Sequence, residues 1–394
     1  TEQLSEDEKQ KILPEVQRYL GVSYRGYGDY ETALKWFSQA LEGFKMIQNT
    51  KGQNVTLWGL ARLHTLRGEW AEAIETYEVI LKHLTSQDGE SEDDGEDEKI
   101  YALLDIYLDM TEPLLMSGNY AKVEAFLHKA LNLAQKTSQP EKLESHIHIQ
   151  FAKFHTARKS YKEALNAIQK ARSCCGTTEN DEMHLSEMKF LSVEIEILIE
   201  LDEQNKARQK LEAVFLNLTN AWDIATWYLL MGLVEKKDMN FRAAQQAFKQ
   251  AIAKAQEIGH YQLILTCRLM FISLLIVRAK LGDQKAFQKA LNQIKELEDE
   301  VQTKFMPAMI LEMKIQRANL LTVQKEYDQA YQLLSAVEKE AKALNLNKQV
   351  VTALECLNLI EKEQSQLRLG LEKSHEFQVV KYLQDVRRIL GKGQ

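Results

Sequence analysis

The chain has 394 residues, 45% of them hydrophobic and 27% charged, the balance of an ordinary soluble globular protein at a length that implies an extended or divided core. Its formal net charge of -7 argues against a general binder of nucleic acid or of an anionic membrane. With 4 Pro and 17 Gly, and with Leu, Ala, Glu, Lys and Gln prevailing over alternating Val, Ile and Thr, the composition is all-α.

Cys174, Cys175, Cys267 and Cys356 show no C-x-x-C spacing and are too few for a disulfide framework, so they read as free thiols of a reducing compartment. No apolar run is expected to reach the roughly 20 residues that span a bilayer. The first residues, TEQLSEDEKQ, are acidic where a signal peptide is basic and then apolar. A cytoplasmic protein without membrane contact is the expectation.

In chain order, the first organised stretch is Leu20 to Phe44. Leu20, Gly21 and Tyr24, then Gly28 and Tyr30, then Ala33, Phe37 and Ala40 fall at the spacings of a helix, a tight turn and a second helix. Leu60, Ala61, His64, Gly68, Trp70, Ala73 and Tyr77 reproduce the pattern, with His in place of the first Tyr. Between this copy and the next, residues 88 to 98 carry eight carboxylates; such a block repels itself and buries no core, so 86–99 is expected to be a disordered acidic insertion. Its spacing does not fit a calcium loop, because Tyr101 stands where the bidentate Glu belongs.

Gly118, Tyr120, Val123 and Ala130 mark a third copy, and Ala152, Tyr161, Ala164 and Ala171 a fourth. The fifth is degenerate, with Ala207 and Leu211. Gly232, Phe241, Ala244, Phe248 and Ala251 give a sixth, Phe287 and Leu291 a weak seventh, and Ala318, Tyr327, Ala330 and Leu334 an eighth. Beyond it, 347–364 continues as an apolar-periodic helix through Val350, Leu354, Leu357 and Ile360. A last amphipathic helix is expected over 374–390, with Phe377, Val380, Leu383, Val386 and Leu390 on one side.

These copies resemble the tetratricopeptide repeat, whose signature runs W-x2-L-G-x2-Y, then A-x3-F, then A. The second-helix marker falls at Ala33, Ala73, Val123, Ala164, Ala207, Ala244, Phe287 and Ala330. That period is longer than the family's usual value of about 34 residues. Lengthened repeats of this kind are similar to those of kinesin light chains, of polarity adaptors of the Pins type and of the sensor arms of bacterial signalling ATPases. The resemblance implies an all-α, right-handed α-solenoid of about eight helix pairs over 1–345, followed by C-terminal capping helices over 346–394. Solenoids need such end units to cover the last exposed face.

Groove-facing positions of the family's first helices, carried onto this sequence, give Arg18 and Arg25, then Trp58 and Arg62, then Leu108, Glu112 and Met116. Lys153, Glu196, Tyr228, Lys236 and Asn319 follow. The first two copies thus promise a basic pocket with an aromatic floor, suited to an acidic or carboxylate-bearing peptide. The paired Asn and Lys clamp by which some family members hold a chaperone tail is absent, since Val22 and Arg62 stand in its slots.

No nucleophile elbow, phosphate loop or dinucleotide turn occurs. His146, His148 and His155 are not spaced to chelate from one helix face. No catalysis, metal or cofactor is expected. The functional expectation is a protein-protein interaction scaffold or adaptor that binds a partner segment in its concave groove. The alternative is the peptide- or ligand-sensing arm of a signalling or transcriptional regulator.

Overall fold

The computed structural model describes residues 6–86, 96–174, 187–304 and 306–365. Among the described residues the regular structure is α-helical, arranged as antiparallel pairs. The first three pairs are α1 (Glu6–Gly26) with α2 (Tyr30–Met46), α3 (Thr50–Arg67) with α4 (Trp70–Thr85), and α5 (Glu96–Asp109) plus α6 (Thr111–Met116) with α7 (Tyr120–Ala134). Then come α8 (Pro140–Ala157) with α9 (Tyr161–Cys174), α10 (Glu187–Glu200) with α11 (Gln204–Phe215), and α12 (Ala221–Lys237) with α13 (Phe241–Glu257). The last pairs are α14 (Tyr261–Lys280) with α15 (Gln284–Thr303) and α16 (Pro307–Val323) with α17 (Tyr327–Ala343). A further helix, α18, occupies 347–365.

One turn design joins the two helices of all eight pairs. A residue in the left-handed region follows the first helix: Gly28, Gly68, Gly118, Lys159, Asp202, Met239, Gly282 and Lys325, with φ from 58 to 94°. The next N–H then reaches back five residues, as from Asp29 to Tyr24 O at 3.0 Å and from Asn240 to Glu235 O at 2.9 Å. This closure satisfies a carbonyl that the helix end leaves open. The same residue caps the second helix, and the marker four positions later makes the first full helical bond to it: Ala33 to Asp29, Val123 to Asn119, Phe287 to Asp283 and Ala330 to Glu326, at 3.0–3.2 Å. The eight markers found in the sequence are therefore one structural position.

Small residues let the layers approach. A Cβ on Gly21 would stand 2.7 Å from the Phe37 ring, and one on Gly59 would stand equally close to its other side. Phe37 is thus wedged between α1 and α3, fully buried. The α12–α13 pair repeats the device with Gly232 and Phe248.

The sequence did not announce the closure of the superhelix on itself. Tyr30 of the first pair and Tyr261 at the start of α14 meet edge to face at 5.9 Å. Gly28 lies so close to Tyr261 that a Cβ would be 2.6 Å from the ring. One pair further on, Gly68 abuts Ala308 at the start of α16, and Trp70 packs with Leu311 and Ile315. One pair further again, Gly118 abuts Asn347 at the start of α18. Pair one meets pair seven, pair two meets pair eight, and pair three meets α18, so six pairs complete one turn. A single buried cluster accordingly joins Tyr30, Phe37 and Leu63 to Leu265, Phe271 and Leu320.

Several expectations need correction. Residues 96–99, assigned to the acidic insertion, belong to α5; the rest of the carboxylate block lies outside the described residues, as does the helix expected over 374–390. The first helix of the third pair is broken at Met110, between α5 and α6. Leu291 is 38% exposed, because the buried stripe of α15 runs instead through Ala286, Ala290, Ile294, Leu297 and Val301. In α18 the buried apolar residues are Ala353, Leu357 and Ile360, while Leu354 is exposed. Finally, α14 is long and apolar enough by length and composition to cross a membrane, contrary to the expectation that no run would be. Here its apolar residues are spent inside the solenoid, where Leu265, Cys267, Phe271, Ile272, Leu274 and Leu275 are buried.

Candidate functional site

A pocket of about 320 Å³ opens where the first three pairs face the start of α14. Arg25 (α1), Arg62 (α3) and Asp109 (α5) bring the charges, Tyr30 and Tyr77 wall one side, and His260, Tyr261 and Gln262 close the other. The Arg25 guanidinium donates to Gly59 O at 3.3 Å. The Arg62 guanidinium lies 5.7 Å from the Trp58 ring centroid, and its Nε is 3.7 Å from Asp109 Oδ2. The Trp58 Nε1–H donates to that same oxygen at 2.7 Å. Asp109 is therefore shared between an indole and a guanidinium.

The structure brings Arg25, Trp58 and Arg62 together and leaves Arg18 aside. Arg18 pairs with Glu15 at 2.8 Å and lies 4.2 Å from the Tyr19 ring centroid. The other groove candidates are spread along the inner layer. Tyr228 sits beside Trp227 and Phe215, Lys236 donates to Ser273 Oγ at 2.7 Å, and Asn319 Oδ1 accepts from the Cys356 thiol at 3.7 Å. The expectation of a basic pocket is corrected to an amphoteric one, since Asp109 and Glu112 line it with the two arginines. Asp109 was missed because the break at Met110 turns it inward in place of Leu108. His260, Tyr261 and Gln262 were missed because they arrive from six pairs away.

The turn closure, the marker position and the glycine-aromatic wedges describe one repeated unit, and residues 13–86 match the family model of the tetratricopeptide repeat. The chain carries tetratricopeptide repeats. Among solved structures, the chain is similar to a Rap protein complexed with competence and sporulation factor, at 14% identity and a TM-score of 0.45, over 90% of this chain and 98% of that one. It is also similar to a tetratricopeptide repeat protein from Parabacteroides merdae, at 13% identity and a TM-score of 0.42, over 76% and 98%. Yeast Tom70 follows at 12% identity and a TM-score of 0.33, over 91% and 97%. No curated protein matches the chain.

Electrostatics give the inside of the tetratricopeptide superhelix its character. The carboxyls of Glu112 and Glu196 are raised above the ordinary range, by desolvation first, with Lys153 and Lys348 opposing the shift in both. Yet Glu112, Lys153, Glu196 and Lys348 all remain open to solvent. Groups crowded by protein and still reached by water line a narrow wet interior. The same two lysines acting on carboxyls from α6 and α10 place all four in one space. At the pocket, burial lowers the pKa of Arg25, and the neighbouring Arg62 lowers it further. Burial pushes Tyr30 up to about 12. Among the described residues no cluster of three or more His, Cys, Asp or Glu could hold a metal ion.

Proposed function

We propose that the chain is a non-enzymatic interaction protein that takes a segment of a protein partner along the inner face of its superhelix. The observation that carries this reading is the set Glu112, Lys153, Glu196 and Lys348. Their charged ends share a wet, walled space and make no hydrogen bond or contact ion pair among the described residues. Such groups are available to a polar segment that brings both signs, with its carboxylates toward Arg25 and Arg62. The acidic partner expected from the arginines alone becomes a segment of mixed charge. Burial pushes the Cys267 thiol up to about 12, away from the thiolate that nucleophilic chemistry uses. Cys267 and Cys356 are free thiols, which suits a reducing compartment such as the cytoplasm.

A photo-crosslinking amino acid at Lys153 tests this, with one at the outward Glu75 of α4 as the control. Partner proteins from the source cell should attach through position 153 and not through 75. Attachment mainly through 75 would move the functional surface to the convex side. The seam between the first and seventh pairs favours a second reading, the ligand-sensing arm of a regulator, because an occupant of the pocket there touches both ends of one superhelical turn.

A further inference from the structure

We propose that the pocket at the seam binds a small zwitterion, a free amino acid or a di- or tripeptide, and ties α14 to the first three pairs when occupied. The pocket shares Arg25, Arg62 and Glu112 with the inner face, and its small occupant requires no protein partner.

Each half of the pocket lacks something. A guanidinium carries five N–H donors, and that of Arg25, placed against a second guanidinium, makes one 3.3 Å hydrogen bond, to a backbone carbonyl. Two arginines held side by side with spare donors are a receptor for a carboxylate, which they can take bidentately. Asp109 answers only part of this charge, because it already accepts from Trp58 and stands 3.7 Å from Arg62.

The same pocket also holds acceptors without partners. Gln262 Oε1 is buried with no hydrogen-bond partner, a state that costs about 1–3 kcal/mol for a neutral polar group. The Glu112 carboxylate lines the same pocket without a contact partner. His260 Nδ1 accepts the N–H of Leu263 at 3.2 Å, which leaves Nε2 as the ring's donor in the neutral form. An ammonium group, with three donors and no acceptor, meets the needs of Gln262 and Glu112 as a carboxylate meets those of the arginines.

A pocket of about 320 Å³ is at the low end of small-molecule sites, which run from about 300 to 1,000 Å³. The phenol rings of Tyr30, Tyr77 and Tyr261 give it apolar walls, so the occupant has room for a side chain. A simple anion would leave Gln262 and Glu112 unanswered, and a simple cation would leave the arginines so. Sites built to hydrogen-bond a group discriminate strongly against analogues that lack it. Arg25 and Arg62 lie on one side of the seam and Gln262 on the other, so the zwitterion's two ends bridge it.

The test is isothermal titration calorimetry of the full chain with the twenty free L-amino acids and with a set of di- and tripeptides. N-acetyl and C-amide derivatives of the best binder follow. At least one zwitterion should bind with a micromolar to low-millimolar Kd, and blocking either terminus should weaken it tenfold or more. Preference for a free amino acid or for a peptide names the source. Hydrogen exchange should slow at 27–30 and at 260–264 on binding. Arg62→Gln and Glu112→Gln, both at solvent-open positions, should each lower affinity tenfold or more while ligand-free melting shows that the fold persists. Failure of the whole panel to bind, equal binding of a blocked derivative, or indifference to both substitutions would overturn the proposal. None of these outcomes alters the crosslinking test of the inner face.

Discussion

The Lys304 ammonium donates a 2.6 Å hydrogen bond to the carbonyl of Gly28, 276 residues away in the chain. The same ammonium lies 4.5 Å from the Tyr261 ring centroid, and Tyr261 in turn faces Tyr30. A straight solenoid transmits a local change only to its neighbours. This bond, with the Gly28–Tyr261 contact, makes the first pair a neighbour of the seventh as well as of the second.

Substituting Gly28 with Ala therefore tests the winding itself. The residue has φ +77°, and the added Cβ would meet the Tyr261 ring at 2.6 Å. The left-handed conformation costs an L-residue about 1–2 kcal/mol, and overpacking adds about 1–3 kcal/mol. Faster hydrogen exchange is expected both at 24–33 and at the first turns of α14. A rise confined to α1 and α2 would show that the seam carries no stability.

Ala33→Leu examines the same coupling from within the first pair. Ala33 is fully buried at the first full turn of α2, so the larger side chain should cost about 1–3 kcal/mol. Were the first pair a free end, it would fray alone. Because one buried cluster contains Ala33 and the residues of α14, loss of protection is expected to reach 261–276 while sparing α7–α9. Protection unchanged in α14 would contradict the wound architecture.

The turns offer a stabilising change. Lys159, Met239 and Lys325 occupy the left-handed position that Gly28, Gly68 and Gly118 hold elsewhere, and Met239 is 52% exposed. Met239→Gly should remove a conformational cost of about 1 kcal/mol, offset in part by the greater freedom of glycine in the unfolded chain. A higher urea midpoint with an unchanged slope is the expected result. A lower midpoint would mean that the methionine side chain contributes more than its backbone costs.

The pH response follows from the interior carboxyls. Glu112 and Glu196 have pKa values raised in the folded chain, first by desolvation, so the folded state holds their protons more tightly than the unfolded state does. Lowering the pH through the raised values therefore favours the fold at these sites, and above those values the penalty is complete. Glu112→Gln and Glu196→Gln should each raise the melting temperature at neutral pH. The gain should shrink as pH falls through the raised values toward the ordinary carboxylate value of 4.5 and be lost below it. A gain that persisted at low pH would assign the effect to packing.

The repeat was legible in the sequence because its signals are local. Ala33, Val123 and Ala330 mark a register that one turn of hydrogen bonds enforces, and Gly21 marks a contact distance that only glycine allows, whereas Gly59, on the other side of Phe37, came only from the structure. Arg25, Trp58 and Arg62 could be placed together because they lie on consecutive first helices. The other half of the pocket was not legible. No feature near Gln262 in sequence points to Arg25, since their meeting depends on a small rotation per pair accumulated over six pairs. Asp109 was hidden by the break at Met110, which shifts the inward face by one residue. Leu291 misled because α15 keeps the marker at Phe287 but turns a different stripe inward.

The charge balance of the pocket yields the last prediction. Asp109 Oδ2 holds the Trp58 indole at 2.7 Å and stands 3.7 Å from Arg62 Nε, while Arg62 lowers the pKa of Arg25 through like-charge repulsion. Asp109→Asn keeps an acceptor for the indole and removes the counter-charge, so the two guanidiniums repel without compensation. Destabilisation of about 1–3 kcal/mol is expected, in the range for a hydrogen-bonded charged group that loses its partner's charge. Arg62→Gln alone should cost less than about 1 kcal/mol, since its side chain is 51% exposed. Combined, the two should destabilise less than their sum, because removing Arg62 relieves the repulsion that Asp109→Asn unmasks. Added salt should recover stability in the Asp109→Asn variant more than in the parent, as screening acts over about 8 to 10 Å at ordinary ionic strength. A double-mutant cycle by urea denaturation, repeated at low and high salt, reads both effects. Strict additivity with no salt dependence would show that Asp109 serves the indole alone and that the arginine pair needs no counter-ion.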